Sequence, residues 1–550
     1  MSAICSQCQQ AFTTSNGDKA LYERLHVPVP KFCPECSHQR RFSFRNERKY
    51  YKRKCDLTGK EIVTIFAPES PYKVYQREAW FSDRYDPLSY GRDIDFSRPF
   101  FEQLKELSCA VPWEHMVIIN SENCDYCNFV VNSRNCYLSV RVDAEDAYYC
   151  YLPFNGTKSC MDCYDVVGCE LCYECVDCTN CRECKYLQRC KQCVNTDFSI
   201  DCIGCTHCFG CAGLRHKEYH IFNEPRSREE YERELREYDT MRSSVVYACQ
   251  KRIRELDRNR PHRFAIHDQT EEATGDYIVK SRRIQNSFDI EECEDVSDSI
   301  GIEYGKDVAR SAFLYHPELC YEQLSVTYSQ NVYFSYGVYN SHNIEYSMMV
   351  HQSSSDCFGC VGLKRNNYCI LNKQYSKEEY EILRVKLINH MRKTGEYGEF
   401  FPPSLSPFAY NETVAQEYYP LTKCTAEEQG FRWRDIEEEL PKVKRIIKAN
   451  QLPDSQSDIP DDVLNWAIQG EKTDRPFKIM KRELQFYRSE KLPLPRFHPD
   501  ERHHARVTLR NPRKLWKRNC AKCGEEMQTT YSPERPEIVY CEKCYLKEVY

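Results

Sequence analysis

Residues 169–214 read CELCYECVDCTN (169–180), CRECKYLQRCKQ (181–192), CVNTDFSIDCIG (193–204) and CTHCFGCAGL (205–214). A small or apolar residue stands at every third position, and the pattern recurs every twelve. The first coil gives Cys169, Cys172, Cys175 and Cys178, and the next Cys181, Cys184, Leu187 and Cys190. Then come Cys193, Thr196, Ser199, Cys202 and Cys205, Cys208, Cys211, Leu214. Backwards, the frame runs through Thr157, Cys160, Cys163 and Val166. It slips by one residue at Ala144, Ala147, Cys150 and Pro153, and resumes at Ser133, Cys136, Ser139, Val142 and Ser121, Cys124, Cys127, Val130. The residues between are mostly polar or aromatic. A short fixed period with one inward residue in three marks a solenoid, whose coils bury their inner faces only by stacking.

The frame returns further along with little sulfur. Ser281, Ile284, Ser287 and Ile290 open it, and it continues to Ser341, Ile344, Ser347 and Val350. After a one-residue slip it closes at Ser354, Cys357, Cys360 and Leu363. The endings match: Cys357–Leu363 repeats Cys208–Leu214, and Tyr368–Asn372 repeats Tyr219–Asn223. Each solenoid is followed by a capping box that opens a helix, Ser227-x-x-Glu230 and Ser376-x-x-Glu379. Since Ser, Val and Ile close the second tube, the thiols of the first read as small apolar filler. Disulfides and metal are the other readings, and a further metal would sit at Cys169, Cys172, Cys175 and Cys178. Coils of twelve and of twenty-four residues fit the spacing equally. The spacing resembles that of beetle antifreeze solenoids, but their flat Thr-x-Thr face is missing and ice binding is not implied. Tyrosines follow inward residues at Tyr137, Tyr148, Tyr173, Tyr321 and Tyr333, as an aromatic binding ribbon or as a column covered by the helical tail or the other solenoid.

The two ends carry paired CxxC knuckles: Cys5, Cys8, Cys33 and Cys36 at one, and Cys520, Cys523, Cys541 and Cys544 at the other. Four thiolates at this spacing close a tetrahedral site, so two structural Zn2+ ions are expected and neither has an open catalytic position. The ends also match each other without a gap, 465 residues apart. Pro28, Pro30, Phe32, Pro34, His38 and Arg41 face Pro493, Pro495, Phe497, Pro499, His503 and Arg506. In that alignment Cys55 faces Cys520, while Thr58, Gln76 and Ala79 face Cys523, Cys541 and Cys544; His498 and Glu501 face Cys33 and Cys36. Each copy has kept one of two ancestral sites.

Each module then carries a basic, aromatic run. Arg40, Arg41, Arg45, Lys49, Lys52 and Arg53 carry the charge of the first; Arg510, Arg513, Lys514, Lys517 and Arg518 that of the second. Phosphate contact with base stacking is one reading, giving RNA or a ribonucleoprotein as partner. An amphipathic helix packing its aromatics on the ribbon is the other.

The 550 residues thus divide into an N-terminal zinc-ribbon module (1–80), a connector (81–120), a Cys-rich solenoid (121–216) and a helical tail (217–262, a helix over 227–258). A second solenoid (281–364), a second tail (365–399), a partly extended linker (400–465) and a C-terminal zinc-ribbon module (466–550) follow. The fold class is mainly β, in the order ribbon, solenoid, solenoid, ribbon, and a pseudo-two-fold shape is expected. The net charge of −6 excludes a global basic field. No apolar run of about 18 residues is present, so no membrane partner is expected. No signal-peptide core opens the chain, which predicts a cytoplasmic protein with its 35 cysteines reduced or metal-bound.

The segments Lys31–Arg41, Arg45–Arg48, Lys54–Lys60, Leu494–Asp500 and Leu509–Leu515 resemble those of an uncharacterised zinc-ribbon and Cys-rich-repeat family of uncultivated small-genome bacteria. The resemblance implies a cytoplasmic bacterial protein and brings no activity. The function expected is a non-enzymatic zinc-binding scaffold whose partner is RNA, a ribonucleoprotein or another protein. A thiol-rich metal-handling or redox protein is the alternative, and an enzyme in a groove between the solenoids is the remote one.

Overall fold

The computed structural model describes residues 2–14, 16–435 and 441–549. The solenoid strands pair in parallel at an offset of twelve. Glu170 lies beside Arg182 and Cys172 beside Cys184, and on another face Val166 lies beside Cys178. In the second solenoid Val296 pairs with Val308 and Ile302 with Leu314. One turn is therefore twelve residues, which excludes the twenty-four-residue coil. The slips fall where the pairing offset changes, as at Ala144 beside Thr157 and His342 beside Ser355.

A coil this narrow must turn a corner every three residues. It does so with left-handed backbone: Leu171, Glu174, Asp177, Asn180 and Glu183 all have φ between 49° and 54°. Every triplet thus holds an inward residue, an outward extended residue and a left-handed corner. The corner is costly for an L-residue and worst for a β-branched one. Among the described residues with positive φ there is no Val, Ile, Thr or Pro. Asn195→Val, at an exposed corner with φ 47°, should destabilise by about 1–3 kcal/mol in denaturant titration, although exposed substitutions are usually near neutral. Asn195→Gly should be neutral or better.

Both solenoids begin earlier than their frames suggest, at Ile118–Ile119 and His267–Asp268. The helix expected over 227–258 is two helices, Arg228–Leu235 and Ser243–Arg258. The break is where Arg242 bridges Ser455 and the Ser243 N–H donates to Asp454 at 3.0 Å. Segment 400–465, expected as a linker, is packed: Phe400, Phe401, Leu405, Phe408, Tyr410 and Val414 are buried in the largest apolar cluster. Residues 436–440 of it lie outside the described residues.

The two ends fold alike. Helix Pro34–Phe42 corresponds to Pro499–Val507, strand Tyr51–Lys54 to Trp516–Asn519, and strand Glu61–Thr64 to Glu526–Thr529, each 465 residues on. Each module docks on the solenoid remote from it in sequence. Ser37 and Arg41 meet Glu322 of the second solenoid, and Arg502 and Arg506 meet Asp162 of the first. The last module strands hold the strands entering the solenoids in equivalent register, Val74 beside Trp113 and Val539 beside His262. The modules also touch each other. Lys49 pairs with Asp500 at 3.0 Å and Lys514 with Glu35 at 2.9 Å. These two bridges are copies of one contact, since Lys514 and Asp500 stand 465 residues after Lys49 and Glu35. The chain has an internal pseudo-two-fold axis between its ends.

Candidate metal centres and a charged seam

Strand Ser2–Ile4 pairs with Ala11–Thr13, and the tight turn between them carries Cys5 and Cys8. Cys33 precedes helix Pro34–Phe42, which contributes Cys36 from its first turn. The four sulfurs lie within 4.8 Å of one another, and so do those of Cys520, Cys523, Cys541 and Cys544. Cys8 and Cys33 Sγ lie 3.8 Å apart, and Cys523 and Cys541 Sγ 3.7 Å. Backbone N–H groups point at the sulfurs: Cys33 N–H donates to Cys5 Sγ at 3.3 Å, and Cys541 N–H to Cys520 Sγ at 3.2 Å. A hydrogen bond from Cys36 chiefly lowers the Cys33 thiol, to about 5. Burial raises Cys520, but the backbone N–H groups of Cys523 and Cys541 outweigh it and bring it to about 6. In each group the neighbours are raised in turn, Cys36 chiefly by its hydrogen bond to Cys33, and Cys8, Cys541 and Cys544 chiefly by burial. Both groups of four can hold a metal ion, which would bind as it displaces their protons.

The lost sites keep their folds. Gly470 and Thr473 stand where the aligned copy has Cys5 and Cys8, and the same turn is closed there. Gly470 N–H donates to Arg475 at 3.0 Å, as Cys5 N–H does to Gln10 at 2.9 Å. His498 and Glu501 form a helix cap instead of two ligands, with the His498 N–H donating to Glu501 at 3.0 Å. In the other copy Cys55 still accepts from the Gln76 N–H at 3.3 Å. Hydrogen bonds thus fill the role that the metal would have.

The solenoid thiols point into the tube and are at most 1% exposed at Cys169, Cys172, Cys175 and Cys178. Each of these comes inward from a different side of the coil. Among the described residues only the two terminal groups bring three or more ligand atoms together, so the additional metal site expected at 169–178 is not formed. All 35 cysteines are free in this structure. The thiols of Cys169, Cys172 and Cys175 donate to carbonyls nine residues on, at 3.5, 3.5 and 3.6 Å. Cys172→Val should therefore cost less than about 1.5 kcal/mol and leave the metal content unchanged, because Val332 and Ile344 fill the matching column of the second solenoid.

The basic runs are mostly internal. Arg41 is fully buried on Glu322, which also holds Arg310 at 2.8 Å and the Ser37 hydroxyl at 2.7 Å. Arg40 donates to the carbonyls of Phe400 and Phe401 and lies 3.6 Å from Glu399. Arg45 pairs with Glu47 and caps the Phe129 ring at 3.8 Å. Arg510 joins Asp177 at 2.9 Å and Asp289 at 2.6 Å, and Arg513 joins Asp289 at 2.9 Å. Arg53 and Arg518 donate to equivalent carbonyls, Tyr72 at 3.3 Å and Glu537 at 2.6 Å. Protein acceptors take up these guanidinium forks, so they are not phosphate contacts. The charge persists in both copies because each clasps a module to a solenoid. Of the eleven candidates, Lys49, Lys52, Lys514 and Lys517 keep partly or well exposed side chains; Lys49 and Lys514 hold the modules together, and Lys517 pairs with Glu526 at 3.1 Å.

The modules cover the tyrosine columns together with the helical tails, where Phe209 packs on Tyr238, ring centroids 4.8 Å apart, and Tyr219 on Tyr231 at 5.7 Å. Tyr321 packs on Tyr22, ring centroids 5.5 Å apart, and Tyr173 on Tyr487 at 5.9 Å. Tyr137 is an exception. It lines a groove of about 980 Å³ where both modules meet the first coils of the first solenoid, together with Tyr50, Tyr126, Lys49, Lys478 and Lys481. The sequence hinted at this only through tyrosines recurring near coil corners.

Comparison with protein-family models, with characterised proteins and with solved structures gives no match to this chain. No helix among the described residues is long and apolar enough to cross a membrane.

Proposed function

We propose that the chain is a zinc-stabilised, non-enzymatic interaction scaffold. The observation that carries this reading is the sulfur geometry at both ends. A tetrahedron with metal–sulfur bonds of about 2.3 Å has edges of about 3.8 Å; one sulfur pair in each group is 3.8 or 3.7 Å apart, and all four sulfurs lie within 4.8 Å of one another. All four positions of each tetrahedron are filled by the chain, so the ion is a structural cross-link and not a Lewis acid open to substrate. The N-terminal ion stiffens the helix that clasps the second solenoid, the C-terminal ion stiffens the ribbon that holds the strand entering that solenoid, and the result is a rigid frame with long outward faces. Reduced, packed thiols suit the reducing cytoplasm, where RNA or a ribonucleoprotein is the partner class that this reading favours.

Metal analysis of protein purified without added metal tests the reading. Two zinc ions per chain are expected. A value near zero, or an iron content with visible charge-transfer bands, would overturn it.

A further inference from the structure

We propose that the groove at the pseudo-two-fold seam binds the bases and backbone of a single-stranded nucleic acid. This deepens the scaffold reading and rests on it.

Two observations meet in the groove. The first is an aromatic chain. Tyr50, Tyr126, Tyr137 and Tyr149 follow one another edge to face, with ring centroids 6.1, 5.9 and 5.6 Å apart. Tyr126 and Tyr137 are half-buried, so part of each ring is open to the groove. The second is a charge excess. Arg48, Lys49, Arg475, Lys478 and Lys481 line the groove against one carboxylate, Asp500. Three of these cations already share it, at 3.3 Å for Arg48, 3.0 Å for Lys49 and 3.1 Å for Arg475. Lys478 and Lys481 are exposed. Rings that accept any base, set beside cations that track phosphates, are the combination by which single strands are held without sequence readout.

The molecule contains its own control. The pseudo-two-fold places a second groove of about 230 Å³ where Arg513, Lys514 and Glu35 stand for Arg48, Lys49 and Asp500. There Leu515 replaces Tyr50, and Gln10, Thr13 and Asn16 stand in the sequence for Arg475, Lys478 and Lys481. The lysine clasp is common to both grooves, and the second is lined by Phe288 and Tyr419, whereas the run of four tyrosines and the exposed Lys478 and Lys481 belong to the first alone.

Fluorescence anisotropy with a labelled twelve-nucleotide oligo-U RNA, and the same length of oligo-dT, tests this on the full zinc-loaded chain. Binding at low salt is expected, weakening as salt rises. Tyr137→Ala should weaken it about tenfold, and Tyr137→Phe by less than about twofold. Lys478→Glu with Lys481→Glu, both on the surface, should weaken it further and flatten the salt dependence. Binding of either strand supports the proposal, and a preference for one of the two identifies it as RNA or DNA. No binding at low salt, or equal competition by inorganic polyphosphate or polyglutamate with no effect of Tyr137→Ala, overturns it. Zinc content and circular dichroism on the same samples separate the two ideas: two zinc ions on a folded chain that binds no strand sink the groove and leave the scaffold.

Discussion

Cys541→Ser should lower the zinc content from two ions per chain to one and release the C-terminal ribbon. The buried apolar set of this ribbon is Cys520, Met527, Tyr531, Val539 and Cys541, and two of its five members are metal ligands. So small a core cannot order the segment alone, whereas a structural zinc contributes on the order of 10 kcal/mol to folding. The loss would spread through named contacts. Strand Ile538–Tyr540 pairs with Pro261–Arg263, which leads into the second solenoid. Thr530 donates to the buried Asp276 at 2.5 Å, and Arg510 and Arg513 hold Asp289. Limited proteolysis should cut first within 511–549, and the melting temperature should fall by many degrees. Cys33→Ser should do the same at the other end. Cys55→Ser is the control: this thiol belongs to the lost site and is buried beside Thr58 and Gln76, so zinc should stay at two. Retention of both ions in a Cys520→Ser, Cys541→Ser double variant, which leaves only two thiolates, would show that the four sulfurs are not the ligands.

The period, the inward frame and the two knuckles were legible because each is a strict local repeat. The duplication of the ends was legible for the same reason, down to the lost ligands at His498 and Glu501, while Gly470 and Thr473 emerged only from the matching turn. The left-handed corners were not seen, since their signal is an exclusion: Val, Ile and Thr are missing from one position in three, a pattern visible only once the inward frame is fixed. The basic runs were read toward solvent because their partners lie far away in sequence. Arg41 meets Glu322, and Arg510 meets Asp177 and Asp289; a spacing rule cannot pair residues more than 200 positions apart. The packing of segment 400–435 escaped for a similar reason. Its Pro-rich start looks extended, and it is, but Phe400, Phe401 and Phe408 are buried between the first module and the second solenoid.

Glu322→Ala and Asp162→Ala should each cost about 3–5 kcal/mol, because removing one side of a buried ion pair strands the other. Glu322 lies between Arg41 and Arg310, with Arg41 fully buried and Arg310 2% exposed. Asp162 is fully buried between Arg502 and Arg506. The two clusters share no partner and sit on different solenoids, so their losses should add in the double variant. Glu322→Gln keeps the shape and isolates the charge; it should recover little of the loss, since two guanidiniums would still face a neutral group. Acid should reproduce this. Burial raises the Glu322 carboxyl, but Arg41 and Arg310 outweigh it and hold it at about 2, against an ordinary 4.5. Because the folded value lies below the unfolded one, the stabilisation is complete above about 4.5 and is lost as the pH falls towards 2. Denaturant titrations between pH 6 and pH 3 should therefore show the wild type losing stability faster than Glu322→Gln. If the two curves run parallel, the clasp is held by packing at Phe42 and Phe313, stacked 5.3 Å apart, and not by this charge.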